Sequence, residues 1–449
     1  MLSSRSKRRR FDSIDGQTFY YSGPTVGTSA TSIGKAHYSY RFVANKFVKA
    51  LQSANATCRE LKMPEYYGGL DALLGAQARG GSPNPPLHLI YRSTEEIRLL
   101  KPGYNVACFA WEFEILNDRT SPGSTVLDSQ VHMLRICDEV WAPCAFTKDI
   151  LHKYGVDNVH LVPAPIETKE RVGESRKDAL ARLMTIPALP MNHHPLWTTE
   201  QAVRANRTAL KPLYEWLRFN APDPQIFVSV FNPEDRRKNP NAMLRGFYRH
   251  HQKHPNSLLI VKLVTSIERL GVEPSAMVHK LLAGKLEDEE VLQSPAILFV
   301  TEFLSEAQMD ALYRAADFYL CTSIAEGQNL PLQEAMEHGA IPVSPRHTAM
   351  LDYLDDGNSI KVEFRRIENF IRDTAPAVFG QPYAFTINHS TELDVFSALG
   401  RAASLSPAAR ETMSAAAAAT VHDRYGTDAV LAAIESRTAS IWNRARDAA

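Results

Sequence analysis

Short apolar runs alternate with helix-like stretches in both halves of the chain, and this alternation limits the possible folds more than any other feature. Each run has the length of one strand, and each intervening stretch is long enough to return the chain to the same edge of a sheet. Such a pattern predicts parallel β-sheets covered by helices. The apolar runs are residues 87–93, 104–112, 139–144 and 159–165 in the first half, and 225–232, 257–264, 296–301, 317–323 and 340–345 in the second.

A stretch rich in proline and charge interrupts this pattern at about residues 167–222 and predicts a connection between two domains. A chain of 449 residues is long for one core, and two domains of roughly 200 residues each suit it better. We therefore predict an α/β protein with two Rossmann-like domains, one at 1–215 that includes the irregular connection and one at 223–425. Residues 426–449 are predicted to form a C-terminal helix.

Composition excludes several classes of protein. Lys and Arg together number 50, as do Asp and Glu, so no net field draws the chain to nucleic acid. The five cysteines form no C-x-x-C pair, which predicts reduced thiols in a cytoplasmic protein. No run of eighteen apolar residues predicts a membrane span. The basic segment Lys7–Arg10 is either a solvated tail or a weak anchor to anionic lipid, so peripheral contact with the inner membrane face stays open.

The segment EGQNLPLQEAMEHG, residues 326–339, joins a predicted strand to a predicted helix. Pro331 suits the first turn of a helix, and Gly339 suits the position just past its end. Glu326 then lies in a loop at the carboxyl end of a strand, where open α/β sheets bind ligands. The unpaired N–H groups at the helix start predict an anion site such as a phosphate site, beside which Glu326 and Glu334 can accept hydrogen bonds from hydroxyl groups.

This segment, followed by HGAIPVSPRHTAMLDYLDDGNSI, resembles the E-x7-E signature of retaining glycosyltransferases with the GT-B fold, specifically the family-4 group. The resemblance implies two Rossmann-like parallel-sheet domains that face each other across a cleft. The first would bind the acceptor, the second would bind the donor, and the C-terminal helix would cross back to the first. Glu326 is implied to contact the donor sugar, and Glu334 the ribose. The loop residues implied to line the donor are Gly327, Gln328, Asn329 and Leu330.

A basic loop, NPEDRRKNPN, follows the first predicted strand of the second domain. A leaving nucleoside diphosphate gains negative charge in the transition state, and fixed cations can stabilise it without a metal. Lys238 matches the family's lysine at the helix start, but Asn232 stands where the family has arginine. Arg236 or Arg237 would then be the partner cation of Lys238, and a merely solvated run of charge is the alternative. The chain has no D-x-D pair, so we expect no metal and no cofactor beside the nucleotide-diphosphate sugar.

Further candidate residues lie just after predicted strands, most of them in the first domain and one in the second. Gly27 lies in a Gly/Ser/Thr-rich loop. The resemblance implies that the backbone of this loop approaches the donor diphosphate, which a glycine permits, and an ordinary flexible loop is the alternative. Trp111 would stack on a sugar ring of the acceptor, although a tryptophan of the core explains this position equally well. The other candidates for acceptor binding are Glu112, Glu114 and His347.

These residues together predict a retaining glycosyltransferase that moves a sugar from a nucleotide-diphosphate sugar to a hydroxyl of a glycan or lipid-linked acceptor, as in polysaccharide biosynthesis. Lys238 and Glu326 are the predicted catalytic residues. The resemblance implies front-face attack assisted by the leaving phosphate. Three alternatives stay open, namely a GT-B nucleotide-sugar epimerase, a glycan phosphorylase and a degenerate, non-catalytic glycan-binding module. The nucleoside base, the sugar, the linkage and the oligomeric state stay open as well.

Overall fold

The computed structural model describes most of the chain. Gly27 and Lys7–Arg10, both singled out above, lie outside the described residues. The described residues are 11–24, 36–66, 85–118, 125–168, 175–193, 196–219, 223–264, 274–282, 292–370 and 384–447.

The first part of the chain folds into a parallel sheet with helices between its strands. Its elements are β1 (Thr18–Ser22), α1 (Ala36–Ser53), β2 (Thr57–Glu60), β3 (Leu87–Ile90), β4 (Tyr104–Cys108), α2 (Gln130–Arg135), β5 (Glu139–Ala142), α3 (Ala145–Lys153) and β6 (Val159–Leu161). The strand order is β2-β1-β3-β4-β5-β6, and every described pairing is parallel. The strands predicted from residues 87–93, 104–112, 139–144 and 159–165 are therefore confirmed.

The second sheet is larger and mostly parallel. Its elements, with the helices that cover it, are α4 (Arg176–Leu183), β7 (Pro187–His193), α5 (Thr199–Ala209), β8 (Lys211–Pro212), α6 (Leu213–Phe219), β9 (Gln225–Phe231), α7 (Pro240–Lys253), β10 (Ser257–Leu263), α8 (Pro274–Leu282), β11 (Leu292–Val300), α9 (Glu306–Ala315), β12 (Phe318–Leu320), α10 (Leu330–Glu337), β13 (Ile341–Ser344) and β14 (Ile360–Lys361). The strand order is β14-β13-β12-β9-β10-β11-β7-β8.

Strands β7 and β8 correct the boundary predicted between the two domains. Residues 187–212 lie in the stretch that the sequence assigned to an irregular connection and to the first domain. In the structure β7 pairs antiparallel with β11, and β8 pairs antiparallel with β7, so both strands extend the second sheet. Pro187 and Pro190 lie within β7 and lack N–H groups, which is unusual for a strand, so the sequence pattern did not predict one here. The pairing of β7 with β11 is irregular, with a register shift between Ser294 and Leu298.

The last elements are a hairpin and three helices, namely β15 (Arg365–Phe370), β16 (Ala384–His389), α11 (Glu392–Ala403), α12 (Pro407–Tyr425) and α13 (Thr427–Asp447). Helix α13 packs on the first sheet, where Ile434 and Trp442 share one apolar cluster with Phe19 and Trp141. The chain thus returns to its first sheet at the end. We call the first sheet with α1–α3 and α13 the first lobe, and the second sheet with its helices and the hairpin β15–β16 the second lobe.

Side-chain alternation gives the second sheet an apolar core on each face. Val228 and Ile260 lie in one cluster with Met336 of α10, whereas Phe227 and Leu259 lie in the other with Phe247 of α7. Strands β9 and β10 are buried on both faces, as expected of parallel strands covered by helices. Among the helices that the structure describes, none combines the length and apolarity needed to cross a membrane.

Candidate active site

The basic loop and the acidic loop meet at one edge of the second sheet. Strands β9 and β12 pair in parallel, so the loops that follow them leave from the same edge. The Thr322 hydroxyl, just after β12, donates to the carbonyl oxygens of Lys238 at 2.8 Å and Asn239 at 3.1 Å. The N–H of Ile324 donates to the carbonyl oxygen of Arg237 at 2.8 Å. These bonds hold the two loops in a fixed relation.

Lys238 and Glu326, the two predicted catalytic residues, form an ion pair at the centre of this edge. Lys238 Nζ lies 2.5 Å from Glu326 Oε1, and the side chains are 17% and 7% exposed. Burial is the largest influence and would lower the pKa of Lys238, but Glu326 and Asp235 together outweigh burial and the repulsion from Arg237, so the net effect raises that pKa. The lysine is therefore positively charged at neutral pH, and a cation stands next to a carboxylate at this edge.

Helices α7 and α10 both begin at this edge with an asparagine in the left-handed region, Asn239 at φ 47° and Asn329 at φ 66°. Neither side chain caps its own helix. Instead Asn239 donates to the carbonyl oxygen of Ser390 at 2.9 Å, and Asn329 donates to the sulfur of Cys321 at 3.4 Å. The helix N-termini therefore keep backbone N–H groups and positive partial charge that suit an anion.

Arg237 is the second cation of the site. Its guanidinium donates to Asp235, with Nη2 to Oδ2 at 2.7 Å and Nε to Oδ1 at 3.0 Å, and Nη1 donates to Glu112 of the first lobe. Burial alone would lower the pKa of Arg237, but the carboxylates of Glu112, Asp235 and Glu326 together outweigh burial. The net effect raises the pKa of Arg237. Arg236 is exposed. Of the two arginines that the sequence left open, the structure brings Arg237 toward Lys238 and Glu326 and leaves Arg236 in solvent.

A strained turn at Thr348 holds the backbone of Glu326 in place. Thr348 has φ 47°, which is rare for a β-branched residue, and its hydroxyl accepts the N–H of Glu326 at 3.1 Å. The carbonyl oxygen of Glu326 accepts the N–H of Ala349 at 3.3 Å.

His347, before this turn, is 4% exposed and packs edge-on against Phe364 at 4.9 Å. Burial lowers the pKa of His347 to about 4, so the ring is neutral at pH 7.

Glu334 lies one turn into α10 and contacts the first lobe. Its Oε1 is 2.7 Å from Nζ of Lys46 on α1, and its Oε2 accepts from the Tyr313 hydroxyl of α9 at 3.2 Å. The carboxylate is 20% exposed, so it stays accessible at the boundary between the lobes. The predicted ribose contact therefore lies where α1, α9 and α10 meet.

The loop between Glu326 and Glu334 contributes mainly to contact between the lobes. Gln328 is buried, and its amide pairs twice with the backbone of Ala164, accepting at 2.9 Å and donating at 2.8 Å. A Cβ on Gly327 would lie 3.2 Å from Cβ of Ala110, so the absence of a side chain permits this close approach. Leu330 packs against apolar clusters of both lobes. The Gln328 side chain thus points to the first lobe rather than lining a donor.

Trp111 and the two glutamates after it are engaged with protein groups. The indole N–H of Trp111 donates to the carbonyl oxygen of Ile115 at 2.8 Å, and its ring stacks on Phe109 at 5.8 Å. Such packing favours the core interpretation of this tryptophan over stacking on a sugar. Glu112 and Glu114 form ion pairs with Arg237 and Arg366 of the second lobe, so both face the cleft, as salt-bridge partners rather than open carboxylates.

Sequence reasoning missed four residues of the site, Thr322, Thr348, Lys46 and Tyr313. Each acts through side-chain contacts with another segment of the chain, and no local pattern signals such contacts. In the described part of the chain, no group of three His, Cys, Asp or Glu side chains is placed to hold a metal ion.

Part of the second lobe matches a known family in sequence. Residues 250–375 match the family described as Glycosyl transferases group 1. This range contains Glu326, Glu334 and the loop between them, and it begins after Lys238. No curated protein matches the chain.

Solved structures resemble the chain over nearly its whole length at low sequence identity. Sucrose-phosphate synthase from Thermosynechococcus elongatus has a TM-score of 0.56 and 12% identity, covering 95% of this chain and 100% of that one. The trehalose 6-phosphate synthase of Burkholderia multivorans has a TM-score of 0.53 and 12% identity, with 96% and 100% covered. Anabaena HepE, in complex with UDP and glucose, has a TM-score of 0.52 and 9% identity, with 95% and 100% covered.

These likenesses confirm the predicted fold, whereas the assignment to the family-4 group and the interpretation of Glu326 and Glu334 as its signature stay predictions. The chain has the GT-B fold of two Rossmann-like domains, and a segment of its second lobe matches the group 1 glycosyl transferases.

Proposed function

We propose that the protein is a retaining glycosyltransferase that moves a sugar from a nucleotide-diphosphate sugar to a hydroxyl of a glycan or lipid-linked acceptor, without a metal ion. The second lobe binds the donor, and the first lobe binds the acceptor. The group 1 glycosyl transferase match over residues 250–375 supports sugar transfer, and HepE with UDP and glucose favours a uridine diphosphate sugar. All five cysteines are free, which is consistent with a reaction in the cytoplasm.

The Lys238–Glu326 pair is the observation that carries this proposal. Two loops, from strands that neighbour each other in the sheet, place an ammonium and a carboxylate 2.5 Å apart at the carboxyl edge. The N-termini of α7 and α10 lie beside the pair. A diphosphate finds its counter-charges there, namely Lys238, Arg237 and helix N–H groups. Glu326 is then placed to accept hydrogen bonds from the hydroxyls of the transferred sugar.

The chemistry needs no nucleophile from the protein. The bond between the anomeric carbon and the phosphate oxygen breaks, and the acceptor oxygen bonds to the anomeric carbon on the same face. The proton of the acceptor hydroxyl moves to an oxygen of the leaving phosphate, which balances the charge. Lys238 stabilises the developing negative charge on the diphosphate, a contribution that is typically worth several kcal/mol in such sites. Attack from the face of the leaving group retains the anomeric configuration.

Contact between the lobes excludes water from this reaction. Gln328, Gly327 and Leu330 close one side of the cleft against the first lobe. Hydrolysis of the donor competes with transfer, so a closed, water-poor site favours the acceptor hydroxyl. The ion pair of Glu334 with Lys46 lies at the same boundary, and a ribose hydroxyl that binds Glu334 would meet both lobes.

The variant Glu326→Gln tests the catalytic assignment. It keeps the size of the side chain but removes the charge next to Lys238, so we expect the rate of sugar transfer to fall by about a hundredfold or more. Removing one charge of a buried ion pair also destabilises the fold, so the melting temperature of the variant is measured and the rates are compared well below it. Release of nucleoside diphosphate from a panel of nucleotide sugars and sugar acceptors gives the rate, and proton NMR of the first product gives its anomeric configuration. Wild-type turnover in Glu326→Gln would remove Glu326 from the chemistry, and an inverted product would exclude the retaining mechanism.

A further inference from the structure

Arg92 lies at the carboxyl edge of the first sheet. It is the second residue after β3, and its Nη2 donates to the carbonyl oxygen of Lys62 at 2.8 Å. Lys62 is the second residue after β2, and β1 lies between β2 and β3 in the sheet. The Arg92 side chain therefore reaches across the carboxyl end of β1, at the kind of edge where open α/β sheets bind ligands.

The charge of Arg92 is buried with little compensation. The residue is 7% exposed, and its Nε lies buried without an acceptor. Among the residues that the structure describes, the guanidinium has the carbonyl oxygen of Lys62 as its partner and no carboxylate in ion-pair contact. Burial lowers the pKa of Arg92, and Glu96 and Glu65 offset only part of that effect. A guanidinium stays charged in proteins, so this arrangement is unfavourable unless an oxygen-bearing anion comes to it.

A second arginine at the same end of β1 is neutralised by the protein itself. Arg41 of α1 lies beside Gly23, the residue after β1, since a Cβ on that glycine would be 3.1 Å from Arg41 Nη1. The Arg41 guanidinium pairs with both carboxylate oxygens of Glu60, with Nη2 to Oε2 at 3.2 Å. Arg92 has no such partner in the described part of the chain, so it keeps N–H groups for an anion that comes from outside.

The edge that carries Arg92 faces the candidate active site. Strand β4 neighbours β3, and Glu112, in the loop after β4, pairs with Arg237 of the second lobe. Ala110 of the same loop lies against Gly327 of the acidic loop. Neighbouring strands are about 5 Å apart, so the end of β1 lies roughly 10 Å along this edge from the end of β4. A sugar acceptor with one charged substituent is long enough to span that distance.

We propose that Arg92 binds a phosphate or carboxylate group of the acceptor, so that the protein transfers its sugar to acidic acceptors in preference to neutral ones. This inference rests on the proposed function and concerns the acceptor that the first lobe binds. Phosphate and carboxylate share the paired anionic oxygens that the fork of a guanidinium recognises. The acidic group itself stays unchanged, since a hydroxyl of the acceptor still attacks the anomeric carbon.

Binding of small acceptor probes tests this inference without turnover. The protein is saturated with whichever of UDP, GDP, ADP and CDP binds most tightly. It is then titrated calorimetrically with the 6-phosphates, the uronic acids and the neutral forms of glucose, galactose and mannose. We expect the wild type to bind an acidic probe at least about tenfold more tightly than the matching neutral sugar. A preference for the phosphates or for the uronic acids says which acidic group the acceptor carries.

Two substitutions of Arg92 remove the guanidinium fork in different ways. Arg92→Gln removes the charge but keeps an N–H group for the carbonyl oxygen of Lys62, and its affinity for the acidic probe should fall by about tenfold. Arg92→Lys keeps a cation without the fork, so its loss should be smaller. In both variants the affinity for the nucleoside diphosphate and for neutral sugars should stay near that of the wild type.

Arg98→Met is the matched control for the loss of one positive charge in the same segment. Arg98 also follows β3, but its Nη1 donates to the carbonyl oxygens of Glu95 at 3.0 Å and Ile97 at 2.8 Å. The affinity of this variant for the acidic probe should stay within about twofold of the wild type, as expected for a partly exposed charge.

The other outcomes overturn the inference in distinct ways. A wild type that does not prefer any acidic probe, or a preference that persists in both Arg92 variants, would exclude Arg92 as the residue that selects the acceptor. A loss of nucleoside diphosphate affinity in those variants would assign Arg92 to the donor instead. A wild type that binds none of the four diphosphates would overturn the proposed function itself, and the inference with it. The ligand-free melting temperatures of the variants separate a loss of binding from a loss of fold.

Discussion

At the scale of single residues, carboxylates of the protein itself neutralise the cations that we expect to bind an anion. Arg237 and Lys238 face three carboxylates, those of Glu326, Asp235 and Glu112. Burial alone would raise the pKa of Asp235, but Arg237 and Lys238 outweigh burial and hold it below its usual value. Asp235 and Glu326 belong to the same lobe as the cations, whereas Glu112 reaches in from the first lobe. Glu112 is thus the carboxylate that a movement of the lobes can replace with a phosphate.

The variant Glu112→Gln should bind nucleoside diphosphate more tightly than the wild type. Removing one negative charge next to Arg237 strengthens the attraction of the site for an incoming anion, and we expect a gain of several-fold, up to about tenfold. Glu114→Gln is the control, since Glu114 pairs with Arg366, which is 60% exposed, and its loss should change affinity little. Calorimetric titration with UDP measures both. Weaker binding by Glu112→Gln would mean that Glu112 instead positions Arg237 for the ligand.

The sequence predicted which two side chains meet at this edge better than it predicted the contacts around them. Lys238 and Glu326 each follow a strand of a parallel sheet, so their meeting at one edge follows from local patterns and topology. The pairing of Gln328 with Ala164 joins segments far apart in the chain, and it depends on how the two lobes pack. No local spacing indicates how the two lobes pack, so the sequence led us to expect Gln328 to line the donor instead.

At the scale of elements, the close packing of α7 on α11 depends on one glycine. A Cβ at Gly246 would lie 2.7 Å from Cβ of Val395 and 2.9 Å from the carbonyl oxygen of Glu392. These distances are too short, and the second contact is with backbone that cannot rotate away. The helix that begins next to Lys238 is held in place by this contact.

We therefore expect Gly246→Ala to destabilise the second lobe by about 1–3 kcal/mol through overpacking, in spite of the better helix propensity of alanine. Gly400→Ala in α11 is the matched control, because a Cβ there meets nothing within 4 Å. That variant should be neutral or gain up to about 1 kcal/mol. Calorimetric melting of both variants measures the difference, and equal stability of the two would contradict the packing argument.

Element boundaries were predictable where the signal is local. Ser305 and Gln308 form the capping box that their spacing indicates, and α9 begins between them. Gly339, with φ 91°, follows the end of α10, as expected for a glycine at that position. Strand β7 was missed because its two prolines are typical of a connection, and because its partner β11 lies about a hundred residues later in the chain.

At the scale of the whole molecule, the lobes meet through polar contacts that also belong to the site. Lys46 with Glu334, Arg237 with Glu112 and Gln328 with Ala164 each join one lobe to the other. Two of these contacts use Glu334 and Arg237, to which we assign a role in donor binding. Donor binding and lobe closure are therefore coupled in this account, since the same side chains serve both.

Binding of a nucleoside diphosphate at Lys238 without a metal ion can be measured in a single experiment. It is a thermal-shift titration of the wild type and Lys238→Met with UDP, GDP, ADP and CDP in the presence of EDTA. A ligand that binds the folded state at a hundred times its Kd stabilises it by about 2.7 kcal/mol. We predict a clear rise in melting temperature with at least one diphosphate in the wild type, with EDTA present, and a much smaller rise in Lys238→Met. No rise with any diphosphate, or the same rise in both proteins, would contradict the account.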